Sequence, residues 1–180
     1  MERGAISRNL FEHRLQRLAQ KIDALAEKDE RMLEHARQVR ATRLAAAEEI
    51  YRHCASFVDA VNSKMQKGAV VLDPPSYAAA DFLEDSANLI QMNVRGRILQ
   101  VEFQSTPELV STEEFRVPYT LQGFVRGFNQ ELLDRNRMEE QLLFYTLEKP
   151  KPIWRFFDAR TYRSGPFGIE YLIGLMEQLV

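Results

Sequence analysis

The sequence predicts an α+β protein: a long, coiled-coil-like N-terminal helix, then a small antiparallel sheet with helices packed on one face. Three observations predict it. Between Ala5 and Lys67 there is neither glycine nor proline, and the stretch is dominated by Ala, Leu, Glu, Arg, Lys and Gln, all strong helix formers. Its apolar residues recur every three or four positions. Beyond Gly68 the texture changes to short apolar runs, several alternating strictly with polar residues and separated by Pro, Gly, Ser and Asp, as antiparallel hairpins require. The expected organisation is residues 1–66 as a helical oligomerisation element and residues 67–180 as an α+β body.

The helix has candidate caps in Ser7 or Asn9 at its start and Gly68 at its end. Phe11, Leu15, Leu18, Ile22, Leu25, Met32, Ala36, Val39, Ala46 and Ile50 follow steps of four and three, interrupted only by Asp29 and Arg43. A 3.5-residue repeat makes a seam two positions wide, the geometry by which one helix meets another. After Ile50 the series continues through Cys54, Phe57 and Val61 with a stutter, and Tyr51 and Val58 widen the face. The first two-thirds is thus expected to pair with a second helix and the last third to pack on the body. Phe11, Leu15, Leu18, Ile22, Leu25, Met32 and Val39 form the expected oligomer interface. A parallel homodimer would stack Asp29 on Asp29 and Arg43 on Arg43, which repel in a partly desolvated seam. An antiparallel pair centred near Ala36 would set each against its opposite, so antiparallel self-pairing is expected. A hairpin bend at "EKDER" is the competing reading of the same interruption.

In the body, "GAVVLD" reads as a short strand and "DPPSYAAADFLED" as a short helix capped by Asp73 or Ser76. "NLIQMNVRGRILQVEFQST" reads as a hairpin: Ile90, Met92 and Val94, then Leu99, Val101 and Phe103, alternate with polar residues on either side of Arg95-Gly96. The spacing of Leu121, Phe124, Val125, Phe128 and Leu132 predicts a helix over "PYTLQGFVRGFNQELLDRNRMEE", weakened by Gly123 and Gly127. "EQLLFYTLEKPKPIWRFFD" predicts two strands about a Lys-Pro-Lys-Pro turn. "GIEYLIGLMEQLV" predicts a closing amphipathic helix with Ile169, Leu172, Ile173, Met176 and Leu179 or Val180 on one side.

Composition bounds the function. Net charge is −2, with +2 in residues 1–66 and −4 in the remainder, so nothing drives the chain toward nucleic acid. A lone cysteine, Cys54, excludes a disulfide framework and is expected as a buried thiol rather than a nucleophile. No run is long and apolar enough to span a membrane, and the N-terminus lacks the apolar core of a secretory signal; a cytoplasmic protein is expected. His13, His35 and His53 lie roughly 33 and 27 Å apart along one helix and cannot share a metal. No histidine in the body can activate Ser105, Ser111 or Ser164, and "GFVRG" lacks the context of a phosphate loop. Neither an enzyme nor a cofactor is expected.

Two candidate binding features remain. Gln100, Glu102 and Gln104 share the polar side of a strand that could line a groove. Trp154, Arg155, Arg160, Tyr162 and Arg163 gather three guanidiniums and aromatic rings in one short window. That window is either a ligand or partner site, since arginines grip carboxylates and phosphates bidentately, or a structural corner in which Asp158 pins Arg160 or Arg163 and the rings pack beneath the last helix. No motif identifies a family. The expected function is self-association as an adaptor or scaffold through the N-terminal helix. The alternative is a small-ligand or peptide-binding, chaperone-like module using the sheet face and the 154–163 window.

Overall fold

The computed structural model describes residues 2–110, 117–129 and 139–180, apart from the side chains of 2–9, 108–110 and 139. The chain forms two compact units, Met1–Ala41 and Thr42–Val180. Helix α1, Glu2–Asn62, is continuous, so the bend at "EKDER" does not occur. Within the first unit its surface carries (i, i+3) and (i, i+4) ion pairs, Arg31–Glu27 at 3.7 Å and Arg37–Glu34 at 3.8 Å, the spacing that supports exposed helices.

The second unit begins inside α1 and contains its last third. Seven strands follow: β1 (Val71–Asp73), β2 (Asn88–Val94), β3 (Arg97–Val110), β4 (Tyr119–Asn129), β5 (Glu139–Thr146), β6 (Ile153–Asp158) and β7 (Arg163–Pro166), and then helix α2 (Ile169–Glu177). They lie in sequence order with every neighbour antiparallel, a meander. The β2–β3 turn uses Arg95 at φ 51° and Gly96 at φ 84°, the pair of positive angles that matches the twist of a tight hairpin.

One face of the sheet is the core. Ile90, Met92, Leu99, Val101, Phe103, Leu121, Val125, Leu143, Tyr145 and Trp154 pack with Ala46, Ala47, Ile50, Cys54, Phe57 and Val58 of α1. Leu172, Leu175 and Met176 of α2 complete it. The two alanines leave room for Trp154, which is wholly buried and donates its indole N–H to the Ala46 carbonyl at 2.8 Å. Arg43, the second break in the heptads, is mostly buried: its guanidinium donates to Glu84, to the Thr106 carbonyl and to Thr120 Oγ1, the last at 2.9 Å. At the helix end Asn62 exchanges two hydrogen bonds with the backbone of Val70, 2.8 and 3.0 Å.

Several expectations need correction. The stretch Tyr119–Asn129 is strand β4, not helix. Its core-facing positions read Leu121, Gly123, Val125, Gly127 and its outward positions Gln122, Phe124, Arg126, Phe128, so apolar groups on both sides disguise the alternation. The glycines are sites of close approach. A Cβ on Gly123 would stand 1.9 Å from the Glu102 carbonyl oxygen, and one on Gly127 would stand 2.8 Å from the Leu179 methyls. Residues 130–138 of that expected helix lie outside the described residues. The helix expected in "DPPSYAAADFLED" is a single 3-10 turn, Ala79–Asp81, flanked by loop that Asn88 pins through bonds to the Leu83 backbone. Residues Arg163–Pro166, at the end of the arginine- and aromatic-rich window, add the edge strand β7. Helix α1 ends at Asn62, short of Gly68. In α2, Ile169 and Ile173 are exposed and Leu175 is buried, a rotation of the expected apolar side.

Candidate functional site

The structure does not bring the five residues of the 154–163 window to one place. Trp154 is inside the core with its only polar atom satisfied. Its neighbour Arg155 points to the other face of the sheet, where it meets Glu148 through two bonds of 3.0 and 2.9 Å, a bidentate pair. Arg160, Tyr162 and Arg163 are exposed in and beside the β6–β7 turn. That turn is organised by Asp158, which accepts from Thr161 Oγ1 at 2.7 Å and from the backbone N–H groups of Arg160 and Thr161 at 2.9 and 3.4 Å. Asp158 thus holds the backbone of Arg160, and these bonds, the Thr161 hydroxyl foremost, lower its pKa. Tyr162 stands at φ 56° and is 80% exposed, its ring edge-on to Phe157.

A different concavity lies on the sheet face away from the helices. Pairing sets Glu102 opposite Phe124 and Phe124 opposite Leu142; one step along, Gln104 faces Gln122 and Gln122 faces Phe144. Together with Tyr119 these residues line a cavity of about 390 Å³. Its apolar wall is built: the rings of Tyr119 and Phe144 meet at a tilt of 60° with centroids 4.8 Å apart, and both are buried together with Phe157. On its polar side, Arg126 donates to Gln100 Oε1 at 2.6 Å, lies 3.4 Å from the Glu102 carboxylate and sits 4.7 Å above the Phe124 ring. The side-chain amides of Gln104 and Gln122 make no hydrogen bond among the described residues. The polar row Gln100–Glu102–Gln104 was visible in the alternation of β3. The opposing wall was not, because β4 resembles a helix by spacing.

The seam of the first unit is exposed: Phe11, Leu15, Leu18, Ile22, Leu25 and Met32 each show 48–61% of their surface, and Leu10 and Leu33 similar fractions. Val39 is intermediate. On one flank of this seam Arg14, Lys21 and Lys28 recur at seven-residue intervals; on the other stand Ala19, Ala26 and Leu33.

Catalytic and metal-binding chemistry finds no assembled set among the described residues. No three His, Cys, Asp or Glu side chains cluster as metal ligands. Cys54 is buried, and loss of hydration pushes its thiol pKa far up, which suppresses the reactive thiolate. No described helix is long and apolar enough to cross a membrane. No protein-family model, curated protein or solved structure matches the chain.

Proposed function

We propose that the protein is a self-associating interaction module in which the seam Phe11, Leu15, Leu18, Ile22, Leu25, Met32 and Val39 closes on the seam of a second copy. The observation that carries this reading is the exposed apolar ladder itself. Six large side chains at heptad spacing stay about half or more exposed on a continuous helix, and each gains on the order of 1 kcal/mol or more when covered. A narrow seam of this kind is complementary to another like it.

The orientation follows from the charges that remain at the seam. Antiparallel pairing about Ala36 would need Arg43, Ala46 and Ile50 open, and all three are engaged within the second unit. Any shorter antiparallel overlap sets each flank against its own kind, with Arg14, Lys21 and Lys28 facing the same cations. It would also press Asp29 against leucine. A parallel pair still stacks Asp29 on Asp29, but it sets the cationic flank against Ala19, Ala26 and Leu33 and places Lys28 of the second copy beside each of those carboxylates. The parallel arrangement is therefore the one proposed, in place of the antiparallel expectation.

Sedimentation equilibrium over a wide dilution range tests association: a dimer whose dissociation is promoted at least tenfold by Leu18→Asp supports it, and a monomer at every concentration overturns it. Oxidation of a Leu18→Cys variant tests orientation. An interchain disulfide at that position fits the parallel pair, and its absence in a demonstrated dimer returns the antiparallel one.

A further inference from the structure

We propose that the sheet face away from the helices binds an extended peptide segment, which inserts one bulky apolar side chain against Phe124, Leu142 and Phe144 and presents a peptide group to Gln104 and Gln122. This inference is independent of helix pairing, since it uses only β3, β4 and β5.

The cavity of about 390 Å³ falls at the small end of the roughly 300–1,000 Å³ typical of ligand sites, a size for one large side chain rather than an extended cofactor. Its composition follows the pattern of such sites, apolar walls with a few convergent polar groups. The apolar wall is prearranged: Phe144 is buried against Tyr119, and Phe124 is held beneath the Arg126 guanidinium. Leu142 remains 37% exposed at the rim.

The polar groups specify the ligand. Glu102 already has its cation in Arg126, so the site offers no unpaired charge among the described residues and favours a neutral occupant. Gln104 and Gln122 stand directly opposite each other across β3 and β4, with amides that make no hydrogen bond among the described residues. Each amide offers an acceptor and two donors, the complement of a peptide N–H and C=O. Capture by addition of a strand at the sheet edge is less available. The edge strands are only three residues (β1) and four residues (β7) long, and the second ends in Pro166, which has no N–H to donate.

The test uses N-acetyl-tryptophanamide, which carries an aromatic side chain between two peptide groups, titrated into the isotopically labelled full chain and followed by amide, side-chain amide and methyl NMR. Saturable shifts centred on Gln104, Gln122, Leu142 and Phe144 are expected. Leu142→Lys should weaken binding at least tenfold while leaving spectra of the helical core unchanged; Leu142→Ser serves if that variant fails to fold. Gln122→Leu should weaken N-acetyl-tryptophanamide at least threefold and leave indole binding unchanged, which separates the amide contact from apolar filling. Shifts located elsewhere, absence of saturation, or equal affinity in the Leu142 variant would overturn the proposal.

Discussion

Ile22 and Ile50 are the same residue at the same heptad position of one continuous helix, four heptads apart, yet one is 56% exposed and the other wholly buried. The heptad pattern alone does not distinguish them. What differs is the company: around Ile50 the neighbours are Ala46, Ala47, Cys54 and Phe57, small or flat groups that fit beneath a sheet. Around Ile22 stand Leu18 and Leu25 with a cationic flank. A helix seam is therefore a statement that something must cover it, and only the residues beside the seam say whether that cover is the chain's own sheet.

The contrast is broken most sharply by truncation. Ile50→Ala is expected to cost about 2–5 kcal/mol and Trp154→Ala about 3–5 kcal/mol in denaturant unfolding, independent of protein concentration. Trp154 also leaves the Ala46 carbonyl without its donor. Ile22→Ala should cost less than about 0.5 kcal/mol in a dilute monomer and acquire a cost only as concentration rises. Equal effects of Ile22→Ala and Ile50→Ala at high dilution would show that the first unit's seam is covered within a single chain.

Arg43 comes next. It interrupts the apolar series where the second unit begins, and its side chain is mostly buried against Glu84. Arg43→Met should cost about 3 kcal/mol, because Glu84 is left in a partly desolvated place with one carboxylate oxygen already lacking a partner among the described residues. The double variant Arg43→Met with Glu84→Gln should recover part of that loss, as measured by a double-mutant cycle. Asp29, the other interruption, behaves oppositely: Asp29→Leu should strengthen self-association by about tenfold, or about 1.4 kcal/mol, and leave dilute stability unchanged.

These two interruptions also mark how far the sequence could be read. Both were visible as breaks in a period. That Arg43 serves as an anchor was not, since its partners Glu84, Thr106 and Thr120 lie 41, 63 and 77 residues away and no local pattern encodes them. The β2–β3 hairpin was legible because one side is apolar, the other polar, and the turn contains Arg-Gly. Strand β4 was not, because its core-facing positions hold glycines that a strand tolerates only when a neighbour comes close. That misreading hid the groove: Glu102 and Gln104 could be placed on a polar sheet face, whereas Gln122, Phe124 and Phe144 could not be placed opposite them. In the 154–163 window the residue types were conspicuous, but strand alternation sends Trp154 and Arg155 to opposite faces.

The smallest expected effect tests the turn that replaced that window as a unit. Asp158 is held ionised by the Thr161 hydroxyl and by the backbone N–H groups of Arg160 and Thr161. Its pKa is lower in the folded chain than in the unfolded one, so its contribution is fully present above about pH 4, the ordinary carboxylate range. It is lost as pH falls through the lowered folded value. Removing the hydroxyl with Thr161→Val should raise the Asp158 pKa toward the ordinary value, followed by carboxyl NMR, and should flatten the acid limb of the stability curve slightly. Arg160→Ala and Arg163→Ala should leave both observables nearly unchanged if the backbone bonds are the main constraint, because the Arg160 contribution through its backbone N–H survives the substitution. A pronounced drop in thermal stability in either variant would instead assign the guanidiniums a structural part in the turn, making it more like the buried corner around Trp154 than like the exposed seam.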